Sequence, residues 1–390
     1  LHGVGRIVKM GTAGRKGRSS VRKLSCRKKL AFSASILVLS LLIAEFGLTF
    51  AVSNSVSQGD TTFYAWEDSG KTIRFDPVRG YWLGTTPSRF VRMAAGEVDC
   101  AGTIRGNAQG YPDAHDFTLR KPSGIRRRYL VLGDSFTAGW GLETNWPDRI
   151  EASRPELQLY NLSTDGGGLA NWWSNLTRFA IAENYQFDGV IFAVFYGDTK
   201  RSFTIKDHRD TAEPHFARVG WKPETWPRMQ AEADQFLKPL AGEYASHILS
   251  TEDFERALAT RRLPVHKRQQ PWIMSQLMGL PASIQRFTLP SDSADGKYDA
   301  DQLALIDDIR RVRVPIIVVR IPTRESLITG WHEAEPEAFA KLLGGKFLDG
   351  ADALRGLNPT QIRGLFFKHD GHWNQDGSNR FAAWVQKQIQ

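Results

Sequence analysis

Three side chains of this sequence could together run nucleophilic acyl chemistry: Ser135 in Gly133-Asp134-Ser135-Phe136, and Asp370 with His372 in His369-Asp370-Gly371-His372-Trp373-Asn374. A serine hydroxyl attacks a carbonyl carbon poorly until a base takes its proton. An imidazole does this best when a carboxylate holds its tautomer and orientation. Taken singly, each part is weak: Gly-Asp-Ser is also an ordinary turn, and a histidine-rich segment is more often plain surface. His369-x-x-His372 hints at a metal, but no cysteine or further histidine pair completes a ligand set, so neither a metal nor an organic cofactor is expected. What singles out the three residues is their position at the ends of elements that one sheet would gather.

Those elements are legible as apolar runs. Tyr129 to Leu132 is a short buried-strand pattern stopped by Gly133, and a helical stretch follows over Thr144 to Ser153. Leu157 to Leu162 is a second strand, ending before Gly166-Gly167-Gly168, and Leu169 to Asn184 is a long helix. Val190 to Tyr196 and Pro315 to Ile321 are further strands, the latter preceded by the amphipathic stretch Asp299 to Arg311; Ser378 to Gln390 is a final helix. Strands alternating with helices predict an α/β fold with a parallel sheet covered on both faces. In such sheets ligands bind beyond the carboxyl ends of the strands. Ser135, the glycine cluster and Tyr196-Gly197-Asp198 all fall at such ends, and glycines let backbone amides approach a substrate closely.

The remaining regions are organised differently. Residues 53–125 read as a loop-dominated lead-in packing on a main domain of residues 126–390. From about 200 to 290 the alternation stops, and Gln230 to Ser250 and Thr251 to Arg262 read as helices in an insertion that forms a cap or partner surface. The acidic run Asp292 to Asp301 fails the EF-hand pattern, with Ser291 and Ser293 at its first ligand positions and Gln302 at its last, so it reads as a solvated loop carrying a helix N-cap.

Charge and hydropathy divide the chain further. Of 390 residues, 41% are hydrophobic and 24% charged, which excludes collagenous, disordered and multi-span membrane classes. The formal charge of +9 suggests a nucleic-acid partner, but residues 1–29 hold ten Lys and Arg and no acid, leaving 41 basic against 42 acidic residues elsewhere. The globular part is neutral, and no nucleic acid is expected. Leu30 to Ser53 is almost unbroken apolar sequence, and about 20 such residues span a bilayer as a helix. Basic residues before it, and none after it until Lys71, place the N-terminus in the cytoplasm. Residues 30–52 are therefore expected to be a transmembrane anchor behind a basic cytoplasmic tail, with the rest extracytoplasmic. A cleaved signal peptide is the alternative, though the apolar run exceeds a usual signal core. The two cysteines, Cys26 and Cys100, then lie on opposite sides of the membrane and no bridge is expected.

From about Asn107 to the end, the chain resembles the SGNH (GDSL-type) hydrolase superfamily. Tyr129-Leu-Val-Leu-Gly-Asp-Ser-Phe-Thr-Ala-Gly-Trp-Gly141 resembles the family's first block, Asn161-Leu-Ser-Thr-Asp-Gly166 the second, and Asp370-Gly-His-Trp-Asn374 the last, in the D-x-H-W form of carbohydrate acetylation proteins. Asn107-Ala-Gln-Gly-Tyr111 resembles the lead-in of many members. The resemblance implies a flavodoxin-like three-layer sandwich with Ser135 as nucleophile, His372 as base and Asp370 as its orienting acid. It also implies oxyanion donors at the amides of Ser135 and Gly166. Two positions depart from the family. Only Gly371 separates Asp370 from His372, and Asp198 stands where an asparagine usually donates to the oxyanion, so it could donate only if protonated. Trp140 and Trp373, beside the motifs, are candidate substrate contacts; the other tryptophans read as packing. The resemblance thus implies an esterase acting on acylated carbohydrate. The alternatives are an O-acetyltransferase fed by a membrane-bound acyl donor and a non-catalytic glycan-binding scaffold.

Overall fold

Alternating and continuous apolar runs organise the described residues into a five-stranded parallel sheet, a three-stranded antiparallel sheet and a two-stranded hairpin. The computed structural model describes residues 28, 32–37, 39–44, 63–67, 73–76, 80–94, 97–201, 249–262 and 298–389. In the lead-in, β1 (Phe63–Trp66), β4 (Ser88–Ala94) and β5 (Glu97–Ile104) form an antiparallel sheet in the order β1-β4-β5, while β2 (Ile73–Asp76) and β3 (Gly80–Leu83) pair as a hairpin. The expected loop-dominated lead-in is thus corrected. Its strands carry no simple alternation because the central strand β4 is covered on both sides. One face packs Val91 and Met93 against Phe254 of the helix Thr251–Thr260, which comes from the insertion. The other packs Phe90 and Cys100 against Trp140 and Phe367 of the main domain. Burial of Cys100 pushes its thiol up to about 12.

The main domain is one parallel sheet of β6 (Arg127–Leu132), β7 (Leu157–Asn161), β8 (Gly189–Phe195), β9 (Ile316–Ile321) and β10 (Lys346–Asp349), in the order β10-β9-β8-β6-β7. Counted within the sheet this is 2-1-3-4-5, the flavodoxin-like order, in which the order of strand addition reverses between the first and third strands, leaving a crevice there. That crevice lies between the ends of β6 and β8, which carry Ser135 and Asp198. Val131, Ile191, Val319 and Ile321 face one layer with the helices Trp146–Ser153 and Gln375–Gln388. Leu130, Leu132, Phe192 and Val318 face the other, with Ala300–Arg310 and Glu335–Leu343. The three-layer α/β expectation holds.

Several details differ from the sequence reading. The expected helix Leu169–Asn184 is α-helical over Leu169–Ser174 and continues as a π-helix over Asn175–Ile181. The fifth strand β10, only Lys-Phe-Leu-Asp, was too short to show a period. Asp299 does cap the helix that follows, through a reciprocal capping box with Gln302. Residues 32–37 and 39–44 are helical and exposed, and no helix among the described residues is long and apolar enough to cross a membrane. The rest of the anchor, nearly all of the basic tail, and residues 202–248 and 263–297 of the insertion lie outside the described residues.

Candidate active site

The turn after β6 places the nucleophile. Asp134 caps the short helix Ser135–Ala138 by accepting from the Phe136 amide at 3.0 Å, so Ser135 is the first residue of a helix whose leading amides have no helical partner. Asn161, fully buried at the end of β7, holds this turn by donating to Thr137 O at 2.9 Å. The base arrives from the other end of the chain on a tight loop. Phe367 N donates to His372 O at 2.9 Å and Asn374 N to Leu365 O at 2.9 Å, leaving Asp370 and Gly371 at the loop's tip. Asn374 then caps the last helix.

These two loops meet. Ser135 Oγ lies 2.6 Å from His372 Nε2, and His372 Nδ1 lies 2.6 Å from Asp370 Oδ1. The same Asp370 oxygen accepts the His372 backbone amide at 2.9 Å, which explains how a spacing of one intervening residue suffices. The carboxylate grips both the ring and the main chain of the histidine. Phe136 stacks on the imidazole with ring centroids 4.5 Å apart, fixing its plane. Burial opposes charge on Asp370, but the His372 hydrogen bonds and the nearby Arg92 outweigh it and hold its carboxyl far below the usual carboxylate range.

Arg92, which sequence reasoning missed, completes the line. Projecting from β4 of the lead-in and 7% exposed, it places Nε 3.0 Å from Asp370 Oδ2, while its NH1 pairs with the buried Asp99 side chain. Asp99 also accepts from the His369 amide at 3.0 Å, and Glu97 takes both Lys368 and the His369 ring. His369 is therefore turned towards β5, and it forms no metal cluster with His372. Only the burial of an arginine within a strand could have signalled this role, and burial is not written in one strand's composition.

The second and third loops flank the serine. Thr164 N donates to Gly133 O at 3.2 Å, bringing the glycine loop alongside the Ser135 turn. Gly166 has φ 68°, a left-handed conformation that favours glycine. A Cβ on Gly168 would come within 2.6 Å of Asp198 O, so the bare backbone is what lets the β7 and β8 loops touch. Gly166, an oxyanion donor by the SGNH resemblance, lies in this loop.

Asp198 does not fit the donor role. It is wholly buried, with Oδ2 accepting the Phe195 amide at 3.0 Å and Oδ1 3.0 Å from Arg201. Both oxygens serve the β8 loop itself. Burial and the neighbouring Asp134 push its carboxyl up, opposed by Arg201; burial likewise raises Asp134. The expectation for Trp373 is corrected, while Trp140 is half-buried. Trp373 is 1% exposed, wedged edge-on against Phe136 and packed on Phe381, and Trp140 stacks on Phe90 at 4.8 Å as mortar between the two sheets. For Trp373, adjacency to a motif does not expose the side chain.

Among the described residues, the acids close enough to share a metal ion are Asp113, Asp148 and Glu151. They already accept backbone amides of Asn161, Ala114 and Leu159, respectively. Burial raises all three, Asp148 to about 6 and Glu151 to about 7. They act as a clamp joining the lead-in, the helix Trp146–Ser153 and β7.

No family model matches the chain, and no curated protein does. Among solved structures, it is similar to a putative lipolytic protein of the G-D-S-L family from Desulfitobacterium hafniense, at 14% identity and TM-score 0.31, covering 67% of this chain and 99% of that one. It is also similar to a catalytic mutant of an acetylxylan esterase from Geobacillus stearothermophilus, at 12% identity and TM-score 0.34, covering 68% and 95%. Superpositions this loose carry no weight for the chemistry, which rests on the side chains described above.

Proposed function

We propose that this chain is a serine esterase of the SGNH type that removes O-acyl groups, acetyl foremost, from carbohydrate. The observation that carries it is the hydrogen-bonded line from Ser135 through His372 to Asp370, assembled from loops 237 positions apart in sequence. A chance turn has no reason to recruit a distant imidazole that is itself held by a carboxylate.

The steps follow from that geometry. Ser135 Oγ attacks the acyl carbon while its proton passes to His372 Nε2, and Asp370 stabilises the imidazolium through Nδ1. The carbonyl oxygen gathers charge, which the amides of Ser135 and Gly166, the donors that the SGNH resemblance implies, would receive. The C–O bond to the sugar breaks, and His372 returns its proton to the departing hydroxyl. Water then attacks the acyl-serine, giving a proton to His372, and the freed acid leaves as Ser135 recovers its hydrogen. The carbohydrate class rests on the D-x-H-W motif.

The inward-facing carboxylate of Asp198 favours a second reading. Without a side-chain donor there, the tetrahedral oxyanion loses stabilisation commonly worth about 10²–10³ in rate. Slow hydrolysis suits an O-acetyltransferase that receives its acyl group from a membrane-bound donor and passes it to a sugar hydroxyl. Either activity is placed outside the cytoplasm, on a chain tethered by residues 30–52; the basic tail and the apolar run support that location.

The test is labelling of the full chain with a serine-directed fluorophosphonate, alongside acetate release from a chromogenic acetyl ester. The expected result is modification of Ser135 and loss of both signals in Ser135→Ala. Folded protein that neither labels nor releases acetate would overturn the esterase reading. A rise in turnover on adding a sugar acceptor would select the transferase.

A further inference from the structure

If carbohydrate is the substrate, some surface beside the triad must hold its rings; of the tryptophans nominated from sequence, Trp373 is buried and Trp140 is half-buried against Phe90. The structure offers another. Trp331 is 50% exposed, whereas the other exposed large apolar side chains among the described residues beyond Ile43 are aliphatic. It lies just past the helix Arg324–Thr329, which follows β9, and its ring meets that of Tyr196 edge-on at 5.1 Å. Tyr196 directly follows Phe195 at the end of β8. Phe195 stacks on Phe136 at 4.8 Å, and Phe136 stacks on His372. Tyr196 and, through it, Trp331 therefore lie at the carboxyl end of the parallel sheet, the end that also carries Ser135.

The loop presenting Trp331 is firmly held. On its C-terminal side, buried Glu333 pairs with Arg320 at 3.2 Å and accepts the Thr323 amide, while Glu335 accepts the Gly197 amide at 2.8 Å and the Thr199 amide at 3.1 Å. On its N-terminal side, Gly330 closes the preceding helix with φ 75°. A backbone pinned by two carboxylates, displaying a bare indole between its anchors, is preorganised for contact, which lowers the entropic cost of binding. Beyond the same helix lies a cavity of about 420 Å³ lined by Arg324, Arg363, Lys368, Glu325, Ile328 and Thr329. Arg324 also donates to Asp370 O at 3.2 Å, so this donor-rich cavity abuts the triad loop.

We propose that Trp331 and Tyr196 form a platform on which a pyranose ring of an oligosaccharide stacks while its acylated neighbour occupies the Ser135 site. This rests on the carbohydrate-ester reading and deepens it. The axial C–H face of a pyranose matches the electron-rich face of an indole, and its hydroxyls match hydrogen-bond donors such as those lining the cavity.

The test is calorimetric titration of full-length Ser135→Ala with acetylated cellohexaose. Saturable binding is expected, weakened about tenfold by adding Trp331→Ala, a size typical of losing one aromatic contact. Trp331→Tyr should keep most of the affinity, and circular dichroism confirms each variant's fold. Absence of saturable binding, or equal affinity with and without the indole, would overturn the platform. Fluorophosphonate labelling of the Ser135-containing protein separates the two readings. A labelled serine with Trp331-independent binding removes the platform alone, and an unlabelled serine with Trp331-dependent binding removes the esterase alone.

Discussion

Arg92 is the residue through which the lead-in sheet reaches the chemistry, and its removal makes the sharpest prediction. Its guanidinium faces Asp370 at 3.0 Å, and Asp370 in turn holds His372 at 2.6 Å. At roughly 4 Å and an effective dielectric of about 20, the attraction between Arg92 and Asp370 is about 4 kcal/mol, and it helps keep that carboxylate ionised and aimed at His372. In Arg92→Met this hold is lost, the imidazole is less well oriented, and kcat/KM should fall about 10-fold to 100-fold. Arg92→Lys keeps the charge and should restore most of that activity, though not the two-sided geometry that also engages Asp99. Removing one partner of a buried ion pair also costs about 3–5 kcal/mol of stability. Adding Asp99→Asn removes the second stranded carboxylate and should recover part of that loss. A purely structural arginine would lower stability without lowering kcat/KM of the folded protein. An unchanged kcat/KM in folded Arg92→Met would refute the reasoning, as would an equal fall on adding Arg92→Met in an Asp370→Asn background, where the carboxylate that Arg92 holds is gone.

Two further predictions concern the scaffold. Burial, with a contribution from Asp148, raises Glu151 to about 7, so between its ordinary 4.5 and that value the folded state keeps a proton the unfolded chain has lost. Stability therefore falls as pH rises through this window, and Glu151→Gln should stabilise on the order of 2 kcal/mol at pH 8 but not at pH 4. Urea unfolding at both values measures it, and an equal effect at the two would count against the clamp. Gly168→Ala drives a methyl into Asp198 O, forcing the β7 and β8 loops apart, and should cost about 1–3 kcal/mol in the same assay along with a loss of fluorophosphonate labelling. Unchanged labelling would show that the loop contact does not position the site.

How much of this was legible depended on whether a signal was local. β6, β8 and β9 announced themselves as continuous apolar runs because strands buried on both faces have no polar side. β10, at four residues, was too short to carry a period. The strands of the lead-in were hidden because their coverings, Phe254 and Trp140, come from far along the chain. Trp373 looked like a substrate contact because it neighbours His372, yet successive residues of an extended segment point to opposite sides, and this one points into the core. Trp331 carried no motif, and its exposure is a property of the folded surface.

The sequence by itself determined the types of the reacting groups and their order along the chain, since short apolar runs and glycine punctuation place Ser135 and Asp198 at strand ends without reference to anything distant. It determined, too, that a basic, apolar N-terminal segment precedes a neutral domain. Tertiary structure alone decided that His372 reaches Ser135, that Arg92 of a separate sheet braces Asp370, and that Asp198 turns inward. Each of those depends on distances between residues remote in the chain, which packing sets and no local pattern records.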